Sequence, residues 1–422
     1  MGRVVPEQYR ASFGYLFWDI AWYGLLGGST ITFLAIYLIR LGADPIQIGM
    51  LNAVPAISTL IFALPAGQFL ARHRVGRAIF WSSAVSRVLY LVMLPLPLLL
   101  APQAQISAYL WLSLLIFIPN TVVQVGFNDL FADTVPTQWR GYVAGGRNAA
   151  TSLATVITTL ACGQILESVP FPTGYQIVFL IGFLGAAMSS LQLWKLRNQG
   201  AKRPAPSASP SAVTAAAAPA GRGLFGGVGL RAWLRARQAG LGFPNRSFRR
   251  VLLLLFAFHL GQYLAIPVFP LFTVNVLHFS EQTISIGSGI FSGFVFLGST
   301  QFSRLTRRLS NRVLLGVGIV VLSLYPILVA LSRGPALYLV ASVIGGAGWA
   351  MVGSVLFNYL LEKVPDLNRS GYLAWYNVAF NAAVLIGSFA GPWLGGEIGL
   401  GTALLIFAGM RMLAGLAILR WG

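Results

Sequence analysis

Long apolar runs, broken by short polar or proline- and glycine-marked segments, dominate the chain. They fall near residues 13–39, 45–71, 77–100, 106–131, 141–166 and 174–194, and again near 250–277, 283–303, 312–332, 336–361, 371–395 and 399–419. Each reaches the roughly 20 residues that a helix needs to cross about 30 Å of hydrocarbon. The runs are continuous and do not alternate with period two, so they predict spanning helices and not the strands of a β-barrel. The pattern is twelve spans in two sets of six. Between the sets, Ala201–Ala220 is almost wholly Ala, Pro and Ser, a composition that cannot bury a face and predicts a flexible linker. The expected division is an N-terminal six-helix bundle over 1–196, a cytoplasmic linker over 197–248 and a C-terminal six-helix bundle over 249–422.

Composition agrees with the pattern and narrows it. Of 422 residues, 56% are hydrophobic and only 9% are charged, against about 25% charged in soluble domains. The composition argues against a water-soluble enzyme, a disordered protein and a nucleic-acid module, even though the net charge is +19. The class is an all-α polytopic membrane protein. The first apolar stretch is too long for a secretory signal and is expected to remain as a span. A single cysteine, Cys162, excludes an intramolecular disulfide and a Cys-rich metal site.

The cations record orientation. With the N-terminus inside, the loops holding Arg72, Arg74 and Arg77, Arg140 and Arg147, the linker, Arg304–Arg312, Lys363 and Arg369 all fall on one side. The tally is 25 Lys and Arg inside, Arg40 and Arg333 outside, and Arg87 and Arg411 within spans. Such asymmetry places both termini and the linker in the cytoplasm. Within the linker, Val228–Gly240 reads as a short basic amphipathic helix on the inner leaflet; a regulatory docking site has the same appearance.

The halves repeat. Asp133, Val135, Pro136, Arg140 and Asn148 recur at a constant offset as Glu362, Val364, Pro365, Arg369 and Asn377. Halves duplicated in the same orientation form a site at their interface, near the bilayer midplane. The segment Gly67-Gln-Phe-Leu-Ala71-Arg72-His-Arg74-Val-Gly76-Arg77 resembles the signature loop of the major facilitator superfamily, approximately G-x-L-a-D-r-x-G-r-r. The loop with Asp133, Pro136, Arg140 and Gly141 looks like that family's next cytoplasmic turn, and Gln301-Phe302-Ser-Arg304 is a weaker copy. The resemblance implies two six-helix bundles that rock about a central cavity. It implies a secondary transporter of a small solute, proton-coupled or facilitative, in the cytoplasmic membrane; the alternative is a transporter-fold sensor or assembly partner. The partners of the first reading are a small-molecule substrate, the lipid bilayer and, if coupled, protons, with the protein a monomer. No nucleic acid and no cofactor is expected.

The departures from the family pattern matter. The loop acid falls on Ala71, which leaves Asp129 and Asp133 as the available partners for Arg72, Arg74 and Arg77. With Gly67 and Arg140 these residues make a candidate cytoplasmic gate; plain anchoring by snorkelling arginines is the other reading. The G-x-x-x-G-P-x-x-G-G run of proton-coupled drug exporters lies in the eleventh span, as Gly387, Gly391, Pro392, Gly395 and Gly396, and not in the fifth. Close helix packing is its simpler explanation there.

Ionisable groups at membrane depth are few. Asp19 is the leading candidate for a protonatable coupling site, because an unpaired charge in a span costs about 2.5–3.5 kcal/mol or more. Arg87 could hold an anionic substrate or pair with Asp19. His259, with Gln262 one turn away, could titrate or donate to substrate, or bond structurally to a neighbour. Trp22 and Asn377 are candidate cavity-lining residues. No Walker loop and no HExxH motif occurs, so nothing points to an enzyme.

Overall fold

The computed structural model describes residues 5–200, 245–305, 309–365 and 369–422, with side chains except at 197–200, 299–305, 369 and 370. The linker segment Ala201–Ala220, the amphipathic Val228–Gly240 and the side chains of the Gln301–Arg304 copy lie outside the described residues.

Among the described residues twelve long helices form. In the first half they are α1 (Glu7–Arg40), α2 (Pro45–Arg72), α3 (Val75–Leu99), α4 (Pro102–Thr134), α5 (Thr137–Ser168) and α6 (Thr173–Gly200). In the second half they are α7 (Arg246–Asn275), α8 (Glu281–Leu305), α9 (Asn311–Leu331), α10 (Pro335–Lys363), α11 (Arg369–Ile398) and α12 (Leu400–Trp421). Each is centred on a predicted apolar run.

Local chemistry sets the starts. Asp44 accepts from the Gln47 amide at 2.8 Å while the Gln47 side chain accepts from the Asp44 amide at 2.9 Å, a reciprocal cap that opens α2 with Pro45 in its first turn. Asn245 caps α7 through the Phe248 amide at 2.8 Å. Two helices break midway, and they are mates in the repeat. In α1 a π-helical turn spans Gly27–Ile31, where Thr32 Oγ1 donates to the Gly27 carbonyl at 2.7 Å. In α7 the break is at Ile266–Pro267, since proline has no N–H to continue the ladder.

Packing repeats as the sequence does. α1 packs on α5 and α6, α4 on α2 and α3, and α3 on α6. Shifted by six helices, the same pairings recur: α7 on α11 and α12, α10 on α8 and α9, and α9 on α12. Two further pairings, α2 with α11 and α5 with α8, join the halves. The pseudo-twofold exchanges these two interfaces. The molecule is thus two pseudo-symmetric six-helix bundles, the arrangement of parallel repeats about an axis along the membrane normal.

Small residues make the close approaches. A β-carbon at Gly391 would overlap the Leu264 carbonyl of α7, and one at Gly49 would overlap the Ser388 carbonyl across the interface between halves. The glycine run in α11 therefore serves helix packing. Outward, Trp111, Leu253 and Leu413 are each 67% exposed. Large exposed apolar side chains around the circumference are what a lipid-facing surface requires.

Candidate functional site

The interior of the N-terminal half is organised by an ion pair. Asp19 on α1 is fully buried. Ser189 of α6 donates to its Oδ1 at 2.6 Å, and both terminal nitrogens of Arg147 on α5 approach its Oδ2 at 3.4 Å. Arg147 Nη1 also donates to the Leu16 carbonyl at 2.6 Å, and the guanidinium lies 4.5 Å from the centre of the Phe127 ring on α4. Four helices thus meet at one desolvated pair. A second cation sits nearby in the same half: Arg87 of α3 bonds Ser86 Oγ at 2.6 Å, the Ala186 carbonyl at 3.2 Å and Asn120 Oδ1 of α4 at 3.3 Å.

One expectation is corrected here. Arg147 does not belong to a loop; it lies well inside α5, 4% exposed. Asp19 has Arg147 and Ser189 among its hydrogen-bonded partners, and Arg87 has Asn120 and the α6 backbone among its own. The physical reason is reach. α5 packs directly on α1 along this stretch, with Thr151 and Thr155 donating to the Ile20 and Gly24 carbonyls at 3.3 and 3.2 Å.

The C-terminal half carries a matching but uncharged bridge. His259 Nε2 on α7 is 2.9 Å from Tyr376 Oη on α11, and the Phe380 ring stands edge-on to the imidazole at 4.8 Å. Tyr376 occupies the position that the repeat offset assigns to Arg147, so α1–α5 and α7–α11 are bridged at equivalent levels. Around it, carboxamides stand partly unsatisfied. Asn377 Nδ2 donates to the Leu373 carbonyl at 3.0 Å, leaving its Oδ1 buried and without a hydrogen-bond partner; Gln262 Oε1 is in the same condition. These are acceptors awaiting a donor. Arg411 of α12 is fully buried and donates to the Leu322 carbonyl of α9. Trp22 stands apart from this chemistry: its ring lies 6.4 Å from that of Trp18, in a groove on the side of α1 away from the bundle interior.

The candidate gate is arranged differently from its expectation. Arg72, Arg74, Arg77, Asp129 and Asp133 are all exposed, and among the described residues no ion pair joins those arginines to either aspartate. Arg140 instead holds the turn between α4 and α5, donating to the Ala132 and Val135 carbonyls at 3.2 Å each. A β-carbon at Gly67 would meet open space.

The opposite end carries a latch that sequence reasoning missed. Arg40, at the end of α1, donates to Glu281 Oε1 at 2.9 Å and to the Phe279 carbonyl at 2.8 Å. Tyr175 of α6 donates to the same Glu281 oxygen at 2.9 Å, and Gln282 donates to Gln164 of α5 at 2.7 Å. These bonds tie the halves together. The available signal was Arg40 itself, one of two cations assigned to the sparsely charged side.

Twelve helices among the described residues, in paired bundles with buried charges inside and apolar side chains outside, define a multi-pass membrane protein. Residues 251–422 match the Major Facilitator Superfamily family model. Solved structures share the fold across nearly the whole chain. The nucleoside transporter NupG is 15% identical with a TM-score of 0.65, covering 98% of this chain and 99% of that one. The POT family transporter PepTSo is 13% identical with a TM-score of 0.70, covering 99% and 98%. An auto inhibited POT family peptide transporter is 14% identical with a TM-score of 0.70, covering 98% and 96%. No curated protein matches the chain. The second half of the chain is thus similar to the major facilitator superfamily, and the whole chain shares its fold with these solved transporters.

Proposed function

We propose that the protein is a secondary transporter that carries a small organic solute across the cytoplasmic membrane by alternating access. The observation that carries this reading is the construction of the halves. Each is internally bonded, the two touch through pairings that the pseudo-twofold exchanges, and hydrogen bonds tie them at the Arg40–Glu281 end. A body built this way can close at one end while it opens at the other. With the Lys- and Arg-rich ends in the cytoplasm, the latch faces outward and the present state is closed to the outside. The unpaired Arg72, Arg74 and Arg77 then belong to the open cytoplasmic face, and they meet Asp129 and Asp133 when that face closes.

Within this reading Asp19 and Arg147 form the coupling pair. A proton on Asp19 removes the charge that Arg147 needs, and a freed guanidinium must find another partner or move. His259, Gln262, Asn377 and Arg87 are the polar groups offered to the solute. Nucleosides and peptides are the first solutes to test, because solved structures of like fold include a nucleoside transporter and a peptide transporter. The test is uptake into proteoliposomes under an imposed pH gradient. Proton coupling predicts gradient-driven accumulation that Asp19→Asn abolishes while leaving downhill exchange. Flux that ignores the gradient would make the carrier facilitative, and no flux with any solute would remove the transport reading.

A further inference from the structure

A lateral groove of about 510 Å³ runs between α1 and α6. Tyr15, Trp18 and Trp22 line it from α1, and Met188, Gln192 and Lys195 line it from α6. On α1 the opposite stripe, Phe13, Leu16 and Ile20, is buried at 2% exposure or less, whereas Trp18 is 60% exposed. The groove therefore opens on the side of the helix turned from the bundle, where a spanning helix meets acyl chains. Among the described residues no carboxylate lines it, and its one charge is the Lys195 ammonium, 5.9 Å from the centre of the Tyr15 ring. Among the described residues Lys195 makes no ion pair. The groove thus offers a fixed positive charge and an amide, Gln192, at the end of α6 that leads into the basic linker. Beyond them an aromatic wall extends one to two turns deeper.

We infer that this groove binds one anionic glycerophospholipid, its phosphate at Lys195 and Gln192 and an acyl chain along Trp18 and Trp22. Aromatic side chains at headgroup level and a lysine beside an anionic phosphate are the chemistry that holds such a lipid. The inference does not depend on transport; the orientation proposed above only assigns the lipid to the inner leaflet.

The tryptophans supply the test. Full-length protein in zwitterionic micelles is titrated with phosphatidylglycerol or phosphatidylcholine carrying brominated acyl chains. Quenching of Trp18 is read as the difference between wild type and Trp18→Phe. Phosphatidylglycerol should quench at about five-fold lower mole fraction than phosphatidylcholine, the effect expected of one lysine near an anionic surface. Lys195→Gln should erase that preference and Lys195→Arg should keep it. Millimolar inorganic phosphate should leave the quenching unchanged. Equal quenching by the two lipids, a preference that survives Lys195→Gln, or displacement by inorganic phosphate would each overturn the inference.

Discussion

Asp19 and Arg147 can be buried only as a pair, since each leaves the other uncompensated when removed. Asp19→Asn or Arg147→Gln alone should cost about 3–5 kcal/mol. The double variant should lose clearly less than the sum, because the stranded charge is gone. Thermal unfolding of the purified variants in detergent measures both singles and the cycle; strictly additive losses would mean that the pair is not coupled. The uncharged mate behaves differently: Tyr376→Phe removes one hydroxyl from His259 and should cost about 1 kcal/mol. Asp19 was legible in the sequence because a carboxylate amid Leu16, Phe17, Trp18 and Ile20 has no cheap way to stay solvated. Arg147 was not. It follows Arg140 in a stretch, Thr137–Asn148, whose glycines and polar residues resemble an interfacial loop, although α5 already contains it.

At the scale of elements, hydropathy located every long helix among the described residues but not its interior breaks or its contacts. The π-helical turn in α1 changes neither composition nor hydrophobicity, so nothing in the pattern distinguishes Gly27–Ile31 from the turns on either side. Proline made the α7 break easier to anticipate. The glycine run of α11 was readable as packing, since small residues at helical spacing have that use in membranes, and its partners proved to be α7 and α2. Gly391→Val forces a side chain into the Leu264 carbonyl and should destabilise by about 1–3 kcal/mol. Gly396→Ala, where a β-carbon meets nothing, should melt within a degree or two of wild type. Comparable losses at both positions would contradict the close α7–α11 approach.

For the whole molecule, duplication was written in the Asp133–Asn148 and Glu362–Asn377 segments, and the same duplication governs which helices touch. The cation map needed correction at Arg147, yet the remaining asymmetry still supports the proposed orientation. What could not be read was how the halves meet, because Arg40 and Glu281 are far apart in sequence and no local pattern links an exposed arginine to the first residue of a distant helix. The latch predicts a charge-swap result. Arg40→Glu should loosen the latched end, and Arg40→Glu combined with Glu281→Arg should restore it, read as protection of a cysteine introduced at Leu277 from a membrane-impermeant thiol reagent.

Alternating access between two rigid halves is tested most directly by paired spin-label distances, which need no known substrate. One pair, at Ile46 and Val276, both 48% exposed, reports the latched end; another, at His73 and Leu309, reports the arginine-rich end. In wild type the latched pair should be short and narrowly distributed. On Arg40→Glu its distance should lengthen while the His73–Leu309 distance shortens in the same fraction of molecules. Distances that stay fixed, or that lengthen together at both ends, would contradict the account.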